Sequence, residues 1–164
     1  MSPLIQIFSH PRNFFSASHF LINFSQCERL HGHNYQVKVL IQYQKINFNF
    51  PIDYRILNEA IQNELRLLNQ KIILPKQSDR IKIGTSKSGE NWDIYVGNKY
   101  YSFPQKDVVF LEGIEQTTSE NIAFYLHKRL GSWLNSNFPN MVEILEISIL
   151  ENIGNQAKYS APIE

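Results

Sequence analysis

The sequence predicts an α+β fold in which one antiparallel sheet packs against two helices. Residues from Leu30 to Gln44 alternate between mostly apolar odd positions and mostly polar even positions, the period of two of a strand with one buried face. A second alternating segment runs from Val142 to Glu151. Between these segments, two stretches carry apolar residues at helical spacing, and this order of strands and helices favours the α+β class.

The remaining elements of the main fold have recognisable starts. Phe14 to Leu21 alternates more loosely and predicts a first strand. Asp53 is a suitable N-cap for the first helix, which is predicted to run to Leu68. The second helix is predicted to begin at Thr117, because Thr117 and Glu120 have the spacing of a capping box.

A small group of strands is predicted between the two helices. Residues from Ile81 to Phe103 contain Gly89 and the Gly97-Asn98 pair, which are turn residues. Trp92, Ile94 and Val96 alternate between these turns, as strand residues do.

Composition limits the classes of function. The 164 residues suffice for one domain with a substantial core, and the net charge of +1 provides no strong field for nucleic acid or an anionic membrane. No apolar run reaches the roughly 20 residues that span a bilayer. Cys27 is the single cysteine, which excludes a disulfide within the chain. We therefore expect a soluble, cytoplasmic protein that binds neither nucleic acid nor membrane.

Three histidines predict a metal site. His31 and His33 are two residues apart on a strand, so both imidazoles point to the same, inward face. His19 can join them if its strand pairs antiparallel with theirs across the loop at residues 23–26. A bare His-x-His is common by chance, but a third histidine on the neighbouring strand favours a metal ion. Three histidine ligands leave one position open, which is typical of catalytic zinc.

Several motifs resemble one known family. Residues 15–20 (FSASHF) and 27–35 (CERLHGHNY) resemble the histidine and Cys-x-x-x-His-Gly-His motifs of the 6-pyruvoyl-tetrahydropterin synthase family, which includes the 6-carboxytetrahydropterin synthases of deazaguanine biosynthesis. Residues 52–54 (IDY), 118–123 (TSENIA) and 150–151 (LE) are similar to further segments of that family. Residues from about 81 to 106 lie outside its common core and read as an insertion within a single domain spanning residues 1–164.

The resemblance implies an architecture and an assembly. It implies the tunnelling fold, an antiparallel four-stranded sheet with two helices packed on one face, to which this chain adds the inserted hairpin. It also implies a homo-oligomer in which trimers form a barrel and two trimers stack into a hexamer.

The resemblance also implies roles for individual residues. The implied zinc ligands are His19, His31 and His33. Cys27 would abstract a proton from the substrate, and a thiolate near a cation is suited to that task. Glu151 would hold the pterin ring, since a carboxylate can accept two N–H donors at once. Thr118 and Glu120 would border the pterin pocket, although Glu120 also has a simpler role as a helix cap.

One family feature is missing. The family usually carries Leu-Asp-His near the end of the first helix, and here the stretch reads Leu68-Asn69-Gln70-Lys71. Neither an asparagine nor a glutamine side chain transfers a proton near pH 7. The ionisable residues that are candidates to replace the Asp-His pair in proton transfer are His127, Glu90, Asp93, Asp107 and Glu112.

These observations leave more than one function open. The first hypothesis is a zinc-dependent carbon–oxygen or carbon–carbon lyase acting on 7,8-dihydroneopterin triphosphate or a related dihydropterin. The product of this enzyme would be 6-carboxytetrahydropterin or 6-pyruvoyltetrahydropterin. Alternatively, the enzyme would cleave the side chain of the substrate, as a dihydroneopterin aldolase does. The second hypothesis is an altered or inactive paralogue that binds a pterin or a purine. A purely structural metal protein would leave Cys27 and Glu151 without a role.

Overall fold

The computed structural model describes residues 4–44 and 51–163. The strands of this part of the chain are β1 Ile5–Phe8, β2 Phe14–His19, β3 His31–Tyr43, β4 Lys71–Pro75, β5 Lys82–Thr85, β6 Asn91–Val96, β7 Lys99–Pro104, β8 Val108–Leu111, β9 Val142–Asn152 and β10 Asn155–Pro162. The two α-helices are α1 Tyr54–Leu68 and α2 Ser119–Asn137. Neither of these helices is long and apolar enough to cross a membrane.

The main sheet has seven strands in the order β10-β9-β3-β2-β4-β8, and β1 pairs with β3 beyond the end of β2. The predicted α+β class is confirmed, but the prediction of a four-stranded, wholly antiparallel sheet is wrong. Strand β4 pairs parallel with both β2 and β8. Periodicity missed β1, β4 and β8 because they have only four or five residues each, too few to distinguish a strand from another apolar segment. It also missed β10, whose eight residues, NQAKYSAP, are mostly polar or small.

The two helices cover one face of this sheet. Their buried residues share a core with the inward side chains of β2, β3 and β9. The predicted cap of α1 is confirmed, since the carboxylate of Asp53 accepts a hydrogen bond from Arg55 N at 2.7 Å.

The predicted start of α2 is wrong by one residue. Thr118, not Thr117, is the N-cap, and its hydroxyl accepts from Asn121 N at 3.4 Å. Thr117 is fully buried instead, and the side chain of Glu120 is exposed. Two adjacent threonines offer two possible N-caps. The local spacing does not reveal that Thr117 instead contacts His19 in the core.

The predicted strands between the helices form a separate antiparallel sheet, β5-β6-β7. Its inner face packs against residues that follow β2 and against β4 and β8. The buried members of this second apolar cluster are Phe20, Ile22, Leu74, Ile81, Ile94, Val96 and Val108. The insertion is therefore attached to the main domain at the end of β2, immediately after His19.

Candidate metal centre and substrate site

The three predicted histidines converge where β2 ends and β3 begins. His19 lies directly opposite His31 in the antiparallel register, and His33 lies opposite Ala17. One ring nitrogen from each of the three lies within 4.8 Å of the others, the distance range over which a single ion can join them. Within residues 4–44 and 51–163, no other group of three histidine, cysteine, aspartate or glutamate side chains meets this criterion.

Gly32 allows the two strands to approach at this point. A Cβ atom at this position would lie 3.0 Å from the carbonyl oxygen of Ala17 and 3.2 Å from the hydroxyl of Ser18. A larger residue between His31 and His33 would therefore make a tight contact with β2, and the neighbouring backbone would have to shift by a few tenths of an ångström.

Two of the imidazoles are oriented by backbone carbonyls. His19 Nδ1 lies 2.9 Å from the carbonyl oxygen of Thr117, and His31 Nδ1 lies 2.7 Å from that of Arg29. A carbonyl only accepts, so Nδ1 carries the proton in both rings and Nε2 keeps its lone pair. Metal-binding histidines are usually held in this way by a second hydrogen bond.

The third imidazole presents a buried nitrogen without a hydrogen bond. His33 Nε2 is buried and makes no hydrogen bond within the described residues, although Glu151 Oε1 lies 2.8 Å away and would form an ion pair with a protonated ring. A buried polar atom of this kind is costly unless it has a partner. The donor set, including this nitrogen without a hydrogen bond, fits a divalent metal ion bound by His19, His31 and His33.

Burial keeps His19 in the form that a metal requires. Desolvation, followed by the positive charge of His31 and less strongly that of His33, lowers the pKa of His19 to about 4, while the hydrogen bond to the Thr117 carbonyl and the charge of Glu151 act in the opposite direction. The imidazole is therefore neutral at pH 7 and can donate its lone pair. The hydroxyl of Tyr35 lies 3.3 Å from His19 Nε2, and burial raises the pKa of this phenol, so it stays protonated.

Glu151 links the histidines to an open cavity. Its second oxygen, Oε2, accepts a hydrogen bond from the hydroxyl of Ser119 at 2.8 Å. Glu151, Ser119 and Glu120 line a cavity of about 400 Å³ together with the turn between β9 and β10. Thr118 caps α2 beside this cavity without lining it.

Cys27 lies in a one-turn 3-10 helix, Ser25–Glu28, in the loop between β2 and β3. Its side chain is partly exposed. Its sulfur is not a member of the three-histidine group, so the geometry leaves Cys27 outside the metal-ligand set. The carboxylate of the next residue, Glu28, pairs with Lys99 of the inserted sheet at 3.2 Å.

The residues that stand in place of the family's Asp-His pair support β2. The backbone N–H of Ser16 donates to Asn69 Oδ1 at 2.9 Å, and Gln70 N donates to the Ser16 carbonyl at 2.6 Å. Gln70 has a φ of 58°, in the left-handed region. Both residues therefore have a structural task that needs no proton transfer.

Among the five replacement candidates, Asp107 lies beside this position. It lines a cavity of about 300 Å³ with Gln70, Lys71 and Ser18. The other four are engaged or exposed elsewhere. His127 donates to Ala161, Glu112 pairs with Lys76, Asp93 accepts from Tyr100 and Ser102, and Glu90 is exposed in the inserted sheet.

Sequence reasoning missed Thr117 and Ser119, which orient His19 and Glu151. The Thr117 carbonyl contacts His19, which is 98 residues away in the sequence, and the Ser119 hydroxyl contacts Glu151, which is 32 residues away. No local spacing reveals such contacts, although the similarity of residues 118–123 to a family motif points to the same region.

Fold and site define an α+β protein whose main sheet presents three histidines arranged to bind one metal ion. The chain belongs to the 6-pyruvoyl tetrahydropterin synthase family, since residues 10–162 match the sequence model of that family. Members of this family are enzymes that act on pterins.

Two curated relatives carry the name "Putative 6-carboxy-5,6,7,8-tetrahydropterin synthase". The Methanocaldococcus jannaschii protein is 31% identical over 152 residues, covering 92% of this chain and 91% of the relative. The Pyrococcus abyssi protein is 30% identical over 118 residues, covering 71% of this chain and 68% of the relative.

Solved structures of 6-pyruvoyltetrahydropterin synthases from two Plasmodium species resemble the whole chain. The Plasmodium vivax structure has a TM-score of 0.87 at 26% identity, and the Plasmodium falciparum structure has 0.84 at 29%. Each alignment covers 99% of this chain and 100% of the solved chain.

Removal of one imidazole should abolish metal binding. We expect His33→Ala to lower the bound divalent metal from about one ion per subunit to a small fraction of that value. The matched control is His10→Ala, because His10 is exposed and lies outside the three-histidine group. Elemental analysis of both purified variants is the measurement, and full metal content in His33→Ala would contradict the assignment.

Proposed function

We propose that this protein is a zinc-dependent enzyme that converts 7,8-dihydroneopterin triphosphate, or a related dihydropterin, into a 6-substituted tetrahydropterin. The observation that carries the proposal is the three-histidine group with the Glu151 carboxylate 2.8 Å from His33. An open ligand position beside a partly buried carboxylate suits a substrate that offers oxygens at one end and N–H groups at the other.

The proposed zinc ion would be held by His19, His31 and His33, and it would polarise the side-chain oxygens of the substrate and acidify the adjacent C–H bonds. Glu151 would accept N–H donors of the pterin ring. Ser119 supports this role because its hydrogen bond to Oε2 fixes the orientation of the carboxylate. Glu120 would line the same cavity, and Thr118 would fix the start of the helix beside it.

Cys27 is the proposed proton-abstracting group. It lies four residues before His31 in the loop that joins the two histidine strands, and the residue is partly exposed. A second candidate is Glu28, because two solved Plasmodium vivax structures are mutants in which a catalytic glutamate is replaced. Glu28 is the carboxylate adjacent to Cys27, so the two groups must be tested together.

The alternative function is that of a pterin- or purine-binding paralogue without turnover. The specific observation in its favour is that Asn69 and Gln70, which cannot transfer protons near pH 7, support β2 through Ser16. Incubation of zinc-loaded protein with 7,8-dihydroneopterin triphosphate separates these functions. Mass spectrometry of the product distinguishes a carboxyl, a pyruvoyl and a cleaved side chain, and an unchanged substrate favours the paralogue.

Substitutions should separate catalysis from binding. Cys27→Ala should lower turnover by roughly 10²–10⁴-fold and leave pterin affinity nearly unchanged, since general acid–base catalysis contributes about that factor. Glu151→Ala should weaken pterin binding by roughly 10- to 100-fold, because a hydrogen bond to a charged group contributes about 1.5–3 kcal/mol. Turnover by mass spectrometry and affinity by fluorescence titration are the measurements. A large loss in Glu28→Gln with none in Cys27→Ala would transfer the role to Glu28.

Restoring the family pair should raise the rate. Asn69→Asp keeps the acceptor for Ser16 N, and Gln70→His is compatible with the left-handed backbone because histidine tolerates that region better than most residues. We expect the double variant to turn over about tenfold faster or more. The control is Gln70→Asn, which also tolerates the backbone but does not ionise near pH 7. Equal rates in both variants would indicate that another group, such as Asp107, already acts.

We also propose that the protein is a homo-oligomer, a trimer or a hexamer. In the described residues the main sheet ends in β10 on one side and β8 on the other, each with one unpaired edge. An unpaired edge presents free backbone N–H and C=O groups with which a strand of another subunit can pair. Light scattering at micromolar concentration should give at least three times the 19.2 kDa subunit mass, and a stable monomer would contradict the proposal.

A further inference from the structure

The inserted sheet touches the loop that carries Cys27. The Gly97-Asn98 turn between β6 and β7 faces residues 20–23 and Glu28 across a cavity of about 80 Å³. Gly97 has a φ of 57°, which lets the chain reverse tightly at this point. The insertion is therefore adjacent both to the end of β2, where His19 lies, and to the turn that holds the proposed proton-transfer groups.

Lys99 makes the contact between the two segments. Its ammonium group donates to the backbone carbonyl of Glu28 at 3.1 Å and to Glu28 Oε2 at 3.2 Å. An ion pair between partly exposed side chains contributes little by itself. The hydrogen bond to the Glu28 carbonyl adds to this ion pair, because it attaches Lys99 to the main chain of the turn.

The turn has few other attachments. Its remaining hydrogen bonds stay within the loop and join Cys27 to Leu21 and Phe24, and Arg29 to Gln26. In the described part of the chain, Lys99 thus supplies the hydrogen bonds that reach residues 26–28 from outside the β2–β3 segment.

The element that carries Lys99 is firmly held. Tyr101, two residues further along β7, stacks on Phe20 with ring centroids 5.1 Å apart and an interplanar angle of 17°. Phe20 is 2% exposed and follows His19 directly. Lys99 is therefore anchored to the end of β2 and can fix the position of the turn relative to the histidines.

We propose that Lys99 is a positioning residue, through which the inserted sheet holds the Cys27–Glu28 turn in place beside the histidine site. The expected effect of Lys99 on turnover rests on the proposed function. The expected effect of Lys99 on the position of the turn does not depend on that function. Release of the turn would displace the proton-transfer group from the substrate, and a misplacement of about 1 Å can cost about 10²-fold in rate.

The first test needs no substrate. Cys27 is the single cysteine of the chain, so the rate of alkylation by iodoacetamide reports on this turn alone. Lys99→Met should raise that rate several-fold, because a turn that opens more often exposes its thiol more often. Lys99→Arg should restore a rate near that of the unmodified protein. Lys87→Met is the matched control, since Lys87 is exposed in the β5–β6 turn of the same sheet. Equal alkylation rates in Lys99→Met and Lys87→Met would overturn the proposal.

The second test uses turnover of 7,8-dihydroneopterin triphosphate by the zinc-loaded protein. Lys99→Met should lower kcat by roughly 10- to 100-fold, with KM and bound metal unchanged, and Lys99→Arg should retain most of the activity. A rise in KM with kcat unchanged would assign Lys99 to substrate binding and overturn its positioning role. If no variant turns over but the alkylation rates differ as expected, the proposed function fails and the role of Lys99 in the turn stands.

Discussion

The candidate site depends on the register between β2 and β3. Because His19 lies opposite His31, and His33 follows on the same face, three imidazoles meet at one end of the sheet. A shift of one residue would turn a strand's side chains to the opposite face and disperse the group. Gly32 fits this register, since a side chain at that position would make a tight contact with the backbone of β2.

The start of α2 and the strand β9 also contribute to the site. The carbonyl of Thr117, just before α2, accepts from His19, while Ser119 in the first turn of α2 donates to Glu151 on β9. The start of one helix therefore orients both His19, a proposed metal ligand, and Glu151, the proposed pterin anchor. This shared task explains why Thr117 is buried and the cap passes to Thr118.

The inserted sheet has a place in this arrangement rather than being a peripheral addition. It packs on Phe20, directly after His19, and reaches Glu28 through Lys99. Asn69 and Gln70 show the opposite case, in which a position associated with proton transfer in the family instead supports β2 through Ser16.

The sequence by itself determined the α+β class, the two helices and the three-histidine group. These follow from periods of two and 3.6 and from residue types that have few alternatives at such positions. The tertiary structure alone decided the seven-stranded sheet, the role of Thr117 and the contact of Lys99 with Glu28. Short strands such as β4 and β8 are specified by their neighbours rather than by their own pattern. Lys99 and Glu28 are separated by 71 positions in the sequence, and Thr117 and His19 by 98 positions. Hydrogen bonds over such separations exist only once packing has brought the segments together.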